Sequence, residues 1–262
     1  MGQRLLSFWI LFIAANVWLH SDKPAYAECA AGYTQQTSPP IVACRQNTGN
    51  VPITARNLTN GSSATGGTSV TTASISPGAN NLDIVSVQSY FTGANNIPTV
   101  TGAGGTWTII ATQADATSNR RVTLFRDLSA SPGSGPLTIS FGQAANPEAW
   151  SVDEFSNTDT TGTHGSGAIV QSVGVTANST SSGASIPLAA LFSAHDATMG
   201  YIRINQTSTV SAGAGFTQLS NIVNASDSEA EWAIDLTPVT WTWSSQSVVD
   251  VGLAIEIKSA TP

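Results

Sequence analysis

From Val70 onward the apolar residues come in short runs broken by Gly, Pro, Asn and Ser. "LDIVSVQSYF", "TWTIIAT", "RVTLFRDL", "LTISF", "AWSVDEF", "ATMGYIRI", "AEWAIDL", "TWTWS" and "VGLAIEI" are all rich in β-branched and aromatic side chains. Several alternate with period two. In "RVTLFRD", Val122 and Leu124 share one face while Thr123 and Phe125 share the other. In "TWTWS", Trp241 and Trp243 share one face, and Thr240, Thr242 and Ser244 the other. Such runs, separated by turn residues, predict an antiparallel sandwich or barrel. No long helical pattern interrupts them. "PLAALFSAH", 187 to 195, fits about two helical turns or a strand followed by a loop.

The runs repeat in order. "TASISPGANNLDIVSV" (72–87) is echoed by "GASIPLAALFSAHDATMGYI" (183–202). "GAGGTWT" is echoed by "SAGAGFT", which sets Trp107 against Phe216. "RRVTLFRDL" is echoed by "EAEWAIDL", both ending Asp-Leu, and "PLTISF" by "VTWTWS". "AWSVDEF" is echoed by "VGLAIEI", with Glu154 opposite Glu256. The order predicts two similar halves, about 70–160 and 183–259, each supplying about five strands. Neither half buries its apolar face alone. Stacked face to face, or with strands exchanged between sheets, they share a core ~10 Å thick. The repeated glycines permit a tight or bulged turn, and the aromatic after them plugs the core.

The stretch "GGTWT … RRVTLFRDL … GPLTISF … AWSVDEFSNTDTTG", continuing to "VGLAIEIK", resembles a jelly-roll-type β-sandwich module of secreted bacterial and phage tail-associated proteins. The resemblance covers roughly residues 70 to 259 and its motifs are structural. It implies a fold and an extracellular setting, and it carries no catalytic residues. The expected fold is therefore all-β, an antiparallel jelly-roll-like sandwich built from two similar halves over residues 70–262.

Upstream the texture differs. Residues 1–27 have a positive start at Arg4, an apolar stretch from Leu5 to Leu19, and an Ala25-Tyr26-Ala27 site. That pattern predicts a signal peptide cleaved after Ala27, so the mature chain is expected to be secreted, with no membrane anchor after cleavage. Residues 28–69 read as an arm and linker, with "IVAC" and "VPITA" as short edge strands and "NLTNGSSATGGTS" (57–69) as the linker proper. Cys29 and Cys44 both follow the cleavage site. An oxidising compartment favours a disulfide between them.

Charge narrows the partners. The chain is only 10% charged, with 9 Lys+Arg against 16 Asp+Glu, and removing residues 1–27 leaves it more acidic. Binding nucleic acid or an anionic membrane needs a basic stripe, and the one adjacent basic pair is Arg120-Arg121.

The chemistry-bearing residues are few. The histidines after the cleavage site are His164 in "THGSG" and His195 in "HD", both read as loop residues, and no G-x-S-x-G elbow exists. The reading therefore leans away from an enzyme. Asp153 and Glu154 are adjacent on a strand and point to opposite faces. Glu154 and Glu256 either converge near a pseudo-twofold axis as an acidic cleft or stay outward on separate strands. Glu229 and Glu231 share a face that is expected to meet solvent, and Asp227 and Glu229 in "NASDSE" are candidates, with Glu154 and Glu256, for an acidic or metal cluster. No cofactor is expected, calcium being the one cation such oxygens suit. Trp241, Trp243 and Trp107 are a sugar-stacking platform if their faces are open, and core if they are closed. Three readings follow: an extracellular binding module for glycan or another cell-surface ligand; a structural subunit of a surface layer, appendage or virion that self-associates through its N-terminal arm; and a carbohydrate-active enzyme.

Overall fold

A computed structural model describes residues 33–36, 43–46, 51–91, 96–116, 119–177, 182–205, 208–223, 226–244 and 250–260. The chain divides into two units, residues 1–49 and 50–261. In the first, β1 (Tyr33–Gln36) pairs antiparallel with β2 (Ala43–Gln46). Cys44 lies in β2, while Cys29 and the signal sequence lie outside the described residues, and with them the expected disulfide.

The second unit contains the repeat. Its first half runs β3 (Thr54–Ser63), β4 (Gly67–Thr71), β5 (Leu82–Tyr90), β6 (Thr99–Gly102), β7 (Thr108–Ala114), β8 (Arg120–Leu128), β9 (Leu137–Ala145) and β10 (Glu148–Ser156). Its second half runs β11 (Ile169–Ala177), β12 (Gly183–Ile186), β13 (Ala197–Ile204), β14 (Val210–Ala212), β15 (Thr217–Ile222), β16 (Asp227–Ile234), β17 (Val239–Trp243) and β18 (Asp250–Ile257). The first half forms sheets ordered β3-β10-β5-β8-β7 and β4-β9-β6; the second forms β11-β18-β13-β16-β15 and β12-β17-β14. The two orders match strand for strand. In each half the first and last strands are neighbours, and successive strands cross between two antiparallel sheets except at the β7–β8 and β15–β16 pairs, which is a jelly-roll path.

Each half thus has eight strands rather than five: in the first half the stretch expected as a linker is strand, and in the second β11 lies ahead of the expected boundary at 183 while β12 and β14 are short strands. Residues 54–63 and 67–71 are β3 and β4. β3 pairs with β10 and lies at a sheet edge, so its outward side needs no apolar residues and its sequence reads as polar linker. "PLAALFSAH" is neither helix nor strand. It forms the irregular loop before β13.

Three cores result. β5, β10, β13 and β18 are buried along almost their whole length because each is covered on both faces. Alternation sends Val85, Val87, Phe125, Trp150 and Val152 toward Val100, Ile139 and Phe141 of the first three-stranded sheet. It sends Leu82, Ile84, Val122, Leu124 and Phe155 the other way, onto Met199, Tyr201, Val251, Leu253, Ile255 and Ile257 of the second half. The remaining face of the second half packs Ile202, Ile204 and Ala254 on Val239, Trp241 and Trp243. The body is a four-layer stack of three, five, five and three strands. The halves do stack face to face, and each also has a core of its own.

The repeated phrase is a shared turn. Gly102–Trp107 links β6 to β7, with Gly104 at φ 66° and a Gly105 N–H to Gly102 oxygen bond of 3.1 Å. The second copy links β14 to β15, with Gly215 at φ 86° and a Phe216 N–H to Gly213 oxygen bond of 3.0 Å. Trp107 and Phe216 each pack against the core of their own half. The shared Asp-Leu ending is a coincidence of sequence: Asp127 lies inside β8, whereas Asp235 lies just beyond β16.

Candidate functional site

The tryptophans are not a platform. Trp241 and Trp243 are 1% and 5% exposed, in the core of the second sandwich. Trp241 Nε1 donates to Glu229 Oε2 at 2.6 Å. Trp107 is half-buried and its Nε1 donates to the Gly102 carbonyl. The Thr face of "TWTW" looks outward instead, because the flat, wide indoles are what fill the space between the sheets.

The acidic groups are also interior. Asp227, Glu229 and Glu231 point into the second sandwich and are 0% exposed. Asp227 accepts the Ser208 N–H, and Glu231 accepts the Gly213 N–H at 2.8 Å. Burial, then the Glu231 charge, pushes Glu229 up to about 9, and burial pushes Glu231 up to about 8. The face they share is core rather than solvent. Among the described residues no three His, Cys, Asp or Glu side chains gather around a cation position.

Glu154 and Glu256 do not converge. Each lies on the sandwich side of its own five-stranded sheet, so the shared core separates them. Neither is outward; both are buried and each clamps a loop. Glu154 accepts from Arg56 Nε at 2.6 Å and from the Gly78 N–H. Glu256 accepts from Gln171 Nε2 and from the Phe192 N–H, each at 2.5 Å. Burial opposes ionisation of Glu154, but Arg56 and the Gly78 N–H outweigh it and hold the carboxyl below its ordinary value. His195 is exposed in the β12–β13 loop.

What the fold does bring together is a row across the first half. Register places Arg56, Glu154, Asp83 and Asp127 side by side on β3, β10, β5 and β8. The same row in the second half reads Gln171, Glu256, Thr198 and Ala233, so the charge cluster belongs to one half alone. Asp83 is 3% exposed, and burial, then the Glu154 and Asp127 charges, pushes its carboxyl up to about 8.

At the Asp127 end of this row lies a cavity of about 300 Å³, whose polar walls are Thr106, Asp127, Ser129, Thr163 and His164. Three segments meet there: the β6–β7 turn, the end of β8 and the connection between the halves. Gly105 lets the turn close over the carboxylate, since a Cβ there would stand 2.8 Å from Asp127 Oδ2. The connection is held by Ser166 N–H to Thr163 oxygen and Thr163 N–H to Ser166 Oγ bonds, both 3.0 Å. His164, at φ 49°, sets its Nδ1 3.3 Å from Asp127 Oδ1. Its side chain is 44% exposed against 7% for Asp127.

A buried carboxylate, an imidazole and three hydroxyls therefore surround a small space. The set can donate to and accept from a ligand rich in hydroxyls. Among the described residues His164 has a carboxylate partner and no hydroxyl nucleophile partner, so the pair lacks the third member of a Ser-His-Asp arrangement. Sequence reasoning placed His164 in a loop and did not connect it to Asp127, 37 positions earlier and on a different element. Comparison with known protein families, curated proteins and solved structures finds no match to this chain.

Proposed function

We propose that the chain is a secreted, non-enzymatic β-sandwich protein that binds a glycan or another cell-surface ligand, and that the Asp127–His164 pocket is its ligand site. The observation that carries this reading is the convergence of Thr106, Asp127, Ser129, Thr163 and His164 on one cavity formed by three segments. Sugars are recognised by such mixed donor and acceptor sets, and pre-organised groups spend little entropy on binding. The apolar stretch and Ala25-Tyr26-Ala27 site support export, as does the resemblance to jelly-roll modules of secreted bacterial and phage tail-associated proteins. The acidic balance supports a partner other than nucleic acid.

A glycan array probed with residues 28–262 tests this reading. Ligands bound by the wild type should weaken about tenfold with His164→Ala, the loss of one hydrogen bond to a charged or polar group. Unchanged binding by His164→Ala and Thr106→Val would remove the pocket from consideration.

The second reading, a structural subunit of a surface layer, appendage or virion, is favoured by one feature. The chain before Asn50 forms a unit distinct from the sandwich body, with its own β-hairpin. Light scattering on residues 28–262 and on residues 50–262 decides it, because an assembly that needs the N-terminal unit dissociates when that unit is removed.

A further inference from the structure

No strand of either three-stranded sheet contains a charged residue: "GTSVT", "TVTG" and "LTISFGQAA" in the first half, "GASI", "VSA" and "VTWTW" in the second. Register then aligns the outward side chains. In the first half Ser69, Ser140 and Thr99 form one row, and Thr71, Thr138 and Thr101 the next. In the second half Gly183, Thr242 and Ser211 form one row, and Ser185 and Thr240 the next. Every one of these positions is Ser, Thr or Gly. Ser69, Thr71, Thr99, Thr101, Thr138, Ser185, Ser211 and Thr242 are exposed.

Sheet geometry sets their spacing at about 4.8 Å between strands and about 6.8 Å along a strand. The residues between the rows, Val70, Val100 and Ile139 in one half and Ala184 and Trp241 in the other, pack against the cores and keep each face fixed. Protein surfaces ordinarily carry about a quarter to a third charged residues, and exposed edge strands are usually guarded by Lys or Pro. Here β4, β6, β12 and β14 are all edges and all lack such guards.

We propose that the two outer sheets are adsorption faces for the hydroxylated surface of an extended polysaccharide, one at each end of the four-layer stack. This rests on the glycan reading and names the class of ligand. Arg121 of β8 reaches the rim of the first face beside Thr99 and Ser140, but the strands of both faces carry no charge to complement a charged polymer, and hydroxyl rows offer little apolar area to a protein partner. Each hydroxyl pair contributes little, about 0.5–1.5 kcal/mol. A repeating ligand engages many at once, and the contributions multiply in affinity. The two faces point away from each other, so one molecule bridges two surfaces.

The test is depletion of residues 28–262 from solution by microcrystalline cellulose and by chitin particles at low and high salt. The wild type should adsorb to at least one of them, independently of salt, and should make the particles clump. Thr138→Lys and Thr242→Lys, one on each face, should each weaken adsorption several-fold and abolish clumping, and the double variant should stay in solution. Thr138→Ala removes the hydroxyl without adding bulk and should weaken adsorption in the same direction. Thr217→Lys, at an exposed position of β15 on a five-stranded sheet, adds the same charge away from both faces and should adsorb like the wild type. The proposal is overturned if the wild type stays in solution with both polysaccharides, if the lysine variants on the outer faces adsorb unchanged, or if Thr217→Lys loses adsorption as the double variant does.

Discussion

One residue position explains more of this protein than any motif. Glu154 and Glu256 occupy the same place in the repeat, and each ties the loop between its second and third strands to its last strand. Truncating Glu256 removes the acceptor of the part-buried Phe192 N–H and leaves the Gln171 amide with the Ala189 carbonyl alone. Glu256→Ala should therefore cost about 1–3 kcal/mol in urea unfolding. Trp241 makes the contrasting case. Its indole fills the second core and donates to Glu229, so Trp241→Ala should cost about 3–5 kcal/mol. A platform role would instead have left stability intact and removed ligand binding, and urea titration separates the two.

At the scale of elements, β13, β16 and β17 show how sequence and packing meet. Gly200 lies opposite Glu231 in the β13–β16 ladder, and a Cβ there would stand 2.5 Å from Trp241 Cζ2. Gly200→Ala should destabilise by about 1–3 kcal/mol through overpacking. β16 also sets a pH dependence. Its Glu229 and Glu231 titrate near 9 and 8 when folded, above the ordinary 4.5. The folded chain then holds protons that the unfolded chain releases between those values, so stability falls as pH rises from about 5 to 9. Thermal unfolding midpoints should be highest in mild acid, and Glu229→Gln should flatten the decline. A midpoint that rises over this range would contradict the burial of both carboxyls. The strands themselves were legible in the sequence because alternation and turn residues are local signals. The repeat was legible because a glycine turn with a core aromatic beside it recurs in each half, Phe216 closing its turn and Trp107 standing two residues beyond Gly105, which closes the other. β3 and β4 were not, since edge strands made of Thr, Ser, Asn and Gly look like linker until β10 and β9 supply partners. The face of Trp241 could not be chosen either, because alternation gives two faces and only the partner sheet says which is covered. The Asp127–His164 pair depends on tertiary approach and left no trace in spacing.

At the scale of the molecule, the central layer joins the halves. Leu82, Leu124 and Phe155 of one meet Leu253, Ile255 and Ile257 of the other, and Gln88 Nε2 donates across to the Ser226 carbonyl at 3.3 Å. Separating the halves would expose an apolar face on both five-stranded sheets, an amount of surface that neither jelly roll could leave wet without loss of stability. Tandem domains commonly unfold in separate steps, but those joined by a buried apolar layer are coupled through it. The chain should therefore unfold in one transition. Trp150 reports on the first sandwich and Trp241 on the second, so near-ultraviolet dichroism and fluorescence of variants retaining one or the other provide independent probes. Leu253 lies at the seam and is 1% exposed. Leu253→Ala should cost about 2–5 kcal/mol, and because the seam is shared it should lower the midpoint seen by both probes together. A variant that shifted the second-half signal alone would mean that the central layer is a contact between two independent sandwiches rather than the core that makes them one.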